Sequence, residues 1–187
     1  MLMLRDDDDI TYISRKRGYV VQEYLGNDKA EYTVGCFSDR DGNLLGSIAL
    51  WRELLQGTTY RAVAGDYPDI RQEAERIASA LKPVGPCNIQ LRMTDYGPVC
   101  FEINPRFSGA TPIRAHFGFN EAEAALRHFV LHESVPGLPD IRTGVALRYW
   151  NEIYVQPDAI QTLETTGRID NTMNRQAIIE SYGKLEK

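Results

Sequence analysis

Four side chains near the middle of the sequence have the types and the spacing of a metal and phosphate site. Glu102, Asn104 and Arg106 follow each other at intervals of two residues, and Gln90 lies in the segment before them. Carboxylate and carboxamide oxygens suit a hard cation such as Mg²⁺, which usually completes its coordination shell with water and substrate phosphates. An arginine can bind phosphate oxygens through two parallel hydrogen bonds. The set therefore indicates a metal–nucleotide site, and the alternative is a polar strand that merely faces solvent.

Two alternating segments would position these side chains on a β-hairpin. Residues 88–93 and 99–104 both alternate polar and apolar residues, which is the period of a half-buried strand. Asp95-Tyr96-Gly97 between them suits a three-residue hairpin loop with Gly97 in the left-handed conformation. A loop of two or four residues would mix polar and apolar side chains on each face, so the pattern favours the three-residue loop.

This loop fixes which residues face each other across the hairpin. If Thr94 faces Pro98, then Gln90 lies opposite Glu102. The polar face then contains Asn88, Gln90, Arg92, Glu102 and Asn104, and the apolar face contains Ile89, Leu91, Met93, Phe101 and Ile103. We therefore expect an oxygen-rich cluster on one side of a stiff hairpin.

The hairpin resembles the metal and phosphate end of the ATP-grasp superfamily. The resemblance rests on Gln90 followed by Glu102-x-Asn104-Pro105-Arg106, and it is closest to the carbamoyl-phosphate synthetase large subunit and its small relatives. It extends over residues 18–131. It implies that Gln90, Glu102 and Asn104 hold Mg²⁺ or Mn²⁺ on ATP, and that Arg106 is the catalytic residue that contacts the transferring phosphate.

A second segment resembles the adenine hinge of the same superfamily. Gln22-Glu23-Tyr24-Leu25 is followed by Glu31-Tyr32-Thr33-Val34. The resemblance implies that the Glu23 carbonyl and the Leu25 amide bind adenine, and that Glu31 binds the ribose hydroxyls. A carboxylate suits this last role because its two oxygens can accept hydrogen bonds from two donors.

Three further polar residues each have two interpretations. In the superfamily the region of Arg52 lies near the phosphates and the second substrate, so Arg52 is a candidate cofactor-binding residue; the alternative is an ordinary surface arginine. His128 and His132 are four residues apart, as two metal ligands on one helix face would be. Phe129 stands where a zinc metalloprotease motif has glutamate, which favours ordinary helix histidines.

The pattern along the chain predicts an α+β fold, with an antiparallel β-sheet of about five or six strands and helices packed on one face. The resemblance implies that this is the C-terminal half of an ATP-grasp fold. Pro68 is expected near the start of one helix, and Asn120 with Glu123 resembles the capping box of another. Further strands are expected at residues 18–26, 31–37, 44–51, 60–65 and 145–155.

Three parts of the chain are expected. Residues 1–17, with four consecutive aspartates, form a poorly ordered or partial N-terminal segment. Residues 18–133 form the C-terminal subdomain of the ATP-grasp fold, and residues 134–187 form an extension packed on the sheet, with a weak helical pattern near residues 158–163.

Composition narrows the classes of partner. The chain has 187 residues, of which 43% are hydrophobic, which suits one globular domain. A net charge of −5 gives no general electrostatic support for binding nucleic acid, and no apolar run approaches the length that spans a membrane. Three cysteines without paired spacing suggest reduced thiols. We therefore expect a cytoplasmic protein with neither a nucleic-acid nor a membrane partner.

The resemblance also implies that part of an ATP-grasp enzyme is missing. A complete enzyme has a glycine-rich loop and phosphate-binding lysines before the hinge, and only 17 residues precede Gly18 here. Two classes of function stay open. One is a ligase that uses ATP to activate a small carboxylate as an acylphosphate for attack by an amine or thiol, and that needs the N-terminal portion for activity. The other is a non-catalytic nucleotide-binding or assembly module.

The missing portion also leads to a prediction about association. A surface that the N-terminal portion would cover is expected to drive formation of a homodimer, or binding of a partner chain that supplies this portion. The apolar patch is expected near residues 19–25 or 145–155. The alternative is that residues 156–187 fold back and cover it within one chain.

Overall fold

The main element of the computed structural model is a six-stranded antiparallel sheet. It contains β1 (Glu31–Ser38), β2 (Leu44–Leu55), β3 (Thr58–Ala64), β4 (Gly85–Thr94), β5 (Gly97–Asn104) and β6 (Gly144–Leu147). Every neighbouring pair of strands is antiparallel, in the order β5-β4-β1-β2-β3-β6. The structure describes residues 3–26, 28–135, 141–149, 153–155, 157–168 and 177–179. The predicted α+β class with an antiparallel sheet is confirmed.

The α-helices in the described ranges have between 5 and 14 residues. They are α1 (Asp7–Ser14), α2 (Pro68–Leu81), α3 (Thr111–His116), α4 (Glu121–Ala125) and α5 (Pro157–Thr166), with a π-helical turn at Leu126–Val130. Helix α2 begins at Pro68, where the missing N–H costs nothing. Helix α4 has the predicted capping box, because the Asn120 side chain accepts from the Glu123 N–H at 3.1 Å. None of the helices in the described ranges has the length and apolar character needed to cross a membrane.

Helices cover both faces of the sheet. On one face, α2 packs through Ile70, Ala74 and Ala78 against Val34 and Ile89. On the other face, α3, α4 and the loops beside them pack against Phe37, Ile48, Leu50, Ala62 and Ala64. The central strands β1 and β2 are buried on both sides, and their side chains alternate between the two clusters. The expectation that the helices pack on one face is therefore wrong.

The β4–β5 hairpin has the predicted register at its far end but a different loop. Thr94 pairs with Gly97, so the loop has two residues, Asp95 and Tyr96, rather than three. A β-bulge between Gln90 and Leu91 of β4 then shifts the pairing, and Gln90 lies opposite Glu102 as predicted. The extra residue on β5 is Phe101.

The bulge changes the face on which Phe101 lies. Its ring lies 5.5 Å from the guanidinium of Arg92, which belongs to the polar face. The sequence pattern placed Phe101 on the apolar face, and this is wrong, because alternation counts residues and cannot detect an unpaired one. Cys100 packs toward the apolar cluster instead.

The segments on either side of the core differ from expectation in part. Residues 19–26 form no regular strand, and the described chain offers no strand to pair with them. Helix α1 occupies residues 7–14, where we expected poor order, because Asp6 caps it by accepting from the Asp9 N–H at 2.9 Å.

The C-terminal region adds one short strand to the sheet. Strand β6 pairs with β3, as expected for residues 145–147 of the predicted strand; residues 150–152 lie outside the described ranges. A separate pair of strands joins β7 (Ile153–Val155) to β8 (Ala177–Ile179), and α5 covers the weak helical pattern near residues 158–163.

Candidate functional site

One face of the sheet collects polar residues of three neighbouring strands, β1, β4 and β5. Because side chains alternate along a strand, residues paired across strands share a face. The pairs are Glu31 with Arg92, Thr33 with Gln90, Gly35 with Asn88, Asn88 with Asn104, and Gln90 with Glu102. This is the face that also carries α3 and α4, and it brings the predicted ribose residue and the predicted metal ligands onto one surface.

Arg52 connects Glu31 to Gln90. Its Nε and Nη2 donate to Glu31 Oε1 at 3.0 and 2.6 Å, and Nη2 also donates to Gln90 Oε1 at 2.6 Å. Glu31 and Arg52 are only 5% and 9% exposed. The alternative of an ordinary surface arginine is therefore wrong. The structure places one guanidinium between the predicted ribose-binding carboxylate and a predicted metal ligand.

Arg92 joins the same cluster from the hinge side. Its Nη2 donates to Glu31 Oε2 at 3.0 Å, and its Nη1 donates to the Gly26 carbonyl at 3.0 Å. The guanidinium also lies 5.5 Å from the ring centres of both Tyr24 and Phe101. The sequence placed Arg92 on the polar face but gave it no role, because its partners are 61 and 66 residues away along the chain.

The predicted metal and phosphate residues lie together at the end of β5. Asn104 Nδ2 donates to Glu102 Oε1 at 2.7 Å, and Arg106 Nη2 lies 3.4 Å from Asn104 Oδ1. Arg106 Nη1 donates to the Phe107 carbonyl at 2.9 Å. One carboxylate and two carboxamides on paired positions form a donor set that fits Mg²⁺, since this ion takes few protein ligands and keeps several waters.

A buried ion pair lies on the same face of the sheet, where α3 and α4 cover it. Arg114 and Glu121 are both fully buried, with Nη1 of Arg114 2.8 Å from Glu121 Oε1. Arg114 Nη2 also donates to Asn88 Oδ1 and, at 2.9 Å, to Ser108 Oγ. Burial lowers the pKa of Arg114, and the charge of Glu121 opposes this effect. Sequence reasoning missed the pair, because nothing in the spacing of two residues on different short helices indicates a buried contact.

Gly35 makes room for this arginine. A Cβ at Gly35 would lie 2.5 Å from Arg114 Nη1 and 2.7 Å from its Cδ. The guanidinium therefore approaches the backbone of β1 closely, and its Nη2 lies 3.3 Å from Thr33 Oγ1 while it donates to Asn88 Oδ1. It fixes Ser108, which follows the Asn-Pro-Arg turn by two residues, relative to Asn88, which pairs with Asn104.

Two cavities adjoin the cluster. One, of about 740 Å³, is lined by Lys29, Glu31, Arg52, Glu53, Leu54, Leu55, Tyr60 and Arg92. Another, of about 350 Å³, lies between the hinge residues Glu23 to Leu25 and the tip of the β4–β5 hairpin. The structure thus places the predicted adenine residues and the predicted ribose residue beside different cavities, with Arg92 and Tyr24 in contact between them.

The histidine alternative finds no support. The backbone N–H of Arg40 donates to His128 Nε2 at 3.2 Å, and an Arg40 guanidinium nitrogen lies 2.7 Å from His132 Nδ1. Because Arg40 contacts one ring nitrogen of each histidine, these two nitrogens are not available to a metal ion. Within the described ranges, no group of three or more histidine, cysteine or acidic residues is placed to hold a metal ion.

Comparison with known proteins identifies the family. The model of the family described as "ATP-grasp in the biosynthetic pathway with Ter operon" matches residues 15–153, which is more than half of the chain. No curated protein matches the chain.

Solved structures share the fold. An N5-carboxyaminoimidazole ribonucleotide synthetase in complex with ADP is 12% identical, has a TM-score of 0.55, and covers 88% of this chain and 44% of its own. The phosphoribosylaminoimidazole carboxylase ATPase subunit from Aquifex aeolicus is 12% identical, with a TM-score of 0.57 and coverage of 84% and 57%. The N5-carboxyaminoimidazole synthase from Aspergillus clavatus, in complex with ADP and 5-aminoimidazole ribonucleotide, is 18% identical, with a TM-score of 0.54 and coverage of 76% and 40%. The chain thus spans about half the length of these proteins.

Proposed function

The chain belongs to this ATP-grasp family, and from that premise we propose that it is the metal- and nucleotide-binding portion of an ATP-dependent ligase that activates a carboxylate as an acylphosphate. One observation carries the proposal. Gln90 lies opposite Glu102, and Asn104 and Arg106 contact each other beside them, so the oxygens and the guanidinium of the proposed site lie on one surface. A closer likeness to the carbamoyl-phosphate synthetase large subunit stays a prediction.

Each part of Mg·ATP has proposed partners. The Glu23 carbonyl and the Leu25 amide bind adenine, and Glu31 accepts from the ribose. Arg52 binds phosphate and so moves away from the Glu31 and Gln90 oxygens that it now contacts. The metal ligands are Gln90, Glu102 and Asn104, and Arg106 contacts the γ-phosphate.

The Glu31 carboxylate has enough hydrogen-bond acceptor positions to bind the ribose. A carboxylate has about four acceptor positions on its two oxygens. Arg52 donates twice to Oε1 and Arg92 donates once to Oε2, so a position remains for a hydroxyl. Once Arg52 turns to the phosphates, both oxygens become available to the two ribose hydroxyls.

The proposed reaction has two steps. A substrate carboxylate oxygen attacks the γ-phosphorus, the bond from that phosphorus to the β–γ bridging oxygen breaks, and ADP leaves with the bond's electron pair. An amine or thiol then attacks the acyl carbon and loses a proton. The bond from the acyl carbon to the phosphate oxygen breaks, and inorganic phosphate leaves. Arg106 serves the first step by neutralising charge on the transferring group, and a metal ion held by Gln90, Glu102 and Asn104 would supply the same kind of stabilisation.

The N-terminal portion of the ligase is proposed to come from another part of a longer protein or from a partner chain. The support is the coverage of the solved structures, which are about twice as long as the region that this chain matches. We also propose that the substrate is a small carboxylate, that the chain forms a homodimer, and that the protein is cytoplasmic.

Calorimetry with Mg·ATP tests the site. We expect the Glu102→Gln variant to bind Mg·ATP at least about tenfold more weakly than wild type, because a charged metal ligand is lost without a change of shape. The matched control is Glu73→Gln, since Glu73 lies on α2 on the opposite face and pairs only with Arg76 in the described contacts. Equal affinities for wild type and Glu102→Gln would rule out this metal site.

Turnover distinguishes a ligase from a non-catalytic module. Release of phosphate from ATP is measured with a panel of small carboxylates and amines, with and without the N-terminal portion supplied as a separate chain. The ligase requires phosphate release that depends on both the carboxylate and the N-terminal portion. Nucleotide binding without carboxylate-dependent release under any condition would instead support the non-catalytic module.

A further inference from the structure

Arg92, which lies on β4, contacts three other parts of the site through one guanidinium. It donates to the Gly26 carbonyl at the end of the hinge and to Glu31 at the start of β1. One ring that it contacts, Tyr24, belongs to the hinge, and the other, Phe101, belongs to β5. The guanidinium therefore links the hinge, β1, β4 and β5 at a single point.

We propose that Arg92 is a positioning residue for the nucleoside, which holds the adenine-binding hinge and the ribose-binding carboxylate in one fixed geometry. The inference rests on the proposed function. It adds that recognition of the base and of the sugar depends on the same side chain, and that recognition of the phosphates does not.

The hinge needs such an anchor because no strand in the described part of the chain pairs with it. Residues 19–26 form no regular strand, and Tyr19 to Glu23 are exposed. Adenine recognition by one carbonyl and one amide works only if both groups stay in place, since ordering a loose segment on binding reduces affinity. Within the described contacts, Arg92 fixes the hinge at its end, through Gly26 and Tyr24.

The chemistry of the side chain suits this position. A guanidinium donates in its own plane in several directions while its two faces stack on aromatic rings, and a lysine ammonium can do neither in the same way. Phe101 reaches Arg92 only because the β-bulge turns it onto the polar face. The bulge thus supplies the aromatic contact from the sheet, and Tyr24 supplies the one from the hinge.

Glu31 completes the link to the sugar. Arg92 binds Oε2 of Glu31, whereas Arg52 binds Oε1. When Arg52 turns to the phosphates, Arg92 is the group that continues to orient the carboxylate. Loss of Arg92 should therefore weaken the contacts to adenine and ribose together and leave the contacts to phosphate and metal in place.

The test compares ligands that share phosphates and differ in the nucleoside. Binding of Mg·ATP, Mg·GTP and Mg·tripolyphosphate is measured by calorimetry for wild type, Arg92→Lys and Arg92→Met. We expect Mg·ATP to bind at least about tenfold more weakly to both variants, because two hydrogen bonds from a charged group are lost. Mg·tripolyphosphate should bind within about twofold of wild type, and the preference for ATP over GTP should fall.

Arg61 provides the matched control. Its guanidinium lies 5.4 Å from the ring centre of Trp51 and 3.8 Å from Glu53, so it also combines an aromatic contact with an ion pair. It contacts neither the hinge nor Glu31 in the described structure. Arg61→Lys and Arg61→Met should bind all three ligands as wild type does.

Hydrogen exchange without nucleotide tests the anchor by itself. Amides of residues 20–26 should exchange faster in Arg92→Lys than in wild type or Arg61→Lys, with little change in the strands. Unchanged exchange in the hinge, or an equal loss of ATP and tripolyphosphate affinity, would overturn the inference. A wild-type chain that binds tripolyphosphate without preferring ATP would overturn the proposed function and the nucleoside role of Arg92 together.

Discussion

Arg114 carries a charge in a place that water does not reach, and its neighbours compensate for that. Glu121 supplies the opposite charge, while Asn88 and Ser108 accept hydrogen bonds from the same guanidinium. Removing charge from water is expensive, so a buried pair of this kind seldom adds net stability. Its effect is to specify position, because Ser108, just after the Asn-Pro-Arg turn, and Asn88, near the start of β4, both bind the same guanidinium.

This arrangement makes Glu121 a sensitive position. In Glu121→Gln the arginine keeps its charge and loses its counter-ion, so we expect the free energy of unfolding to fall by about 3–5 kcal/mol. The measurement is urea denaturation followed by circular dichroism.

Glu123→Gln is the control, because Glu123 and its partner Arg127 are both 51% exposed and such pairs contribute little. The double variant Arg114→Met with Glu121→Leu should recover part of the loss, since no unpaired charge remains. A loss for Glu121→Gln no larger than that for Glu123→Gln would contradict the assignment of a buried ion pair.

At the scale of elements, the central strands β1 and β4 place two thiols opposite each other in the core. Cys36 pairs with Cys87, and both are buried beneath α2. Burial raises the pKa of the Cys36 thiol above its ordinary value of 9.0, and the neighbouring Cys87 raises it further. The folded chain therefore keeps this proton at a pH at which the unfolded chain loses it.

Stability should consequently fall on the alkaline side. Below pH 9 both states hold the proton of Cys36 and the full contribution is present; above it, unfolding releases a proton. Above pH 9, the titration of this thiol should lower the free energy of unfolding by about 1.4 kcal/mol for each further pH unit. Urea denaturation of wild type and Cys36→Ala between about pH 8 and 10 measures the slope.

Cys36→Ala should be less stable at neutral pH, because it leaves a cavity, but it should show a shallower alkaline slope. Cys100→Ala is the control, since that thiol is only half-buried and burial raises its pKa less. Parallel slopes for wild type and Cys36→Ala would contradict the prediction.

Some features of the helices and strands could be predicted from the sequence, and others could not. Alternation predicted that Gln90 faces Glu102, although the loop that was used to derive it is wrong, because alternation senses only which face a side chain occupies. Local signals were reliable where the cause is local, as in the capping box of Asn120 and Glu123. Residues 18–26 have the composition of a strand, but none of the strands in the described ranges pairs with them, and composition cannot supply a partner.

The long-range contacts that complete the site could not be predicted from the sequence pattern. Arg92 meets Gly26 and Glu31 across more than sixty residues, and Arg114 meets Asn88 across 26. The contact of Arg92 with Glu31 depends on the pairing of β4 with β1, and that of Arg114 with Asn88 depends on the face of the sheet that α3 covers. These follow from the packing of the whole sheet, so no spacing in the sequence indicates them.

At the scale of the whole molecule, two exposed apolar stretches match the predicted association surfaces. Val20 is 88% exposed, with Tyr19 and Val21 beside it, and Val145 and Leu147 are exposed on the edge strand β6. Soluble proteins seldom leave large apolar patches bare. We therefore expect the isolated chain to self-associate, with a mass that falls toward 21.2 kDa on dilution when it is measured by light scattering.

Paired variants separate the two surfaces. Val20→Glu with Val21→Lys should abolish association if the hinge segment is the interface, and Val145→Lys with Leu147→Glu should do so if β6 is. A mass that stays at 21.2 kDa for wild type at every concentration would contradict association and favour coverage of the patch by residues 156–187.

The β-bulge at Phe101 also bears on how this hairpin can tolerate insertions and deletions. Leu91 opposite Cys100 and Gln90 opposite Glu102 are consecutive pairs on β4, so β5 carries one residue more than a regular ladder requires. Deleting Phe101 would leave the loop and the Gln90–Glu102 pair where they are and remove only the ring beneath Arg92. Deleting Ile103 instead would turn Asn104 to the other face. Deletion of one residue at Phe101 should therefore reduce nucleotide affinity only in part. Deletion of one residue at Ile103 should separate the metal ligands.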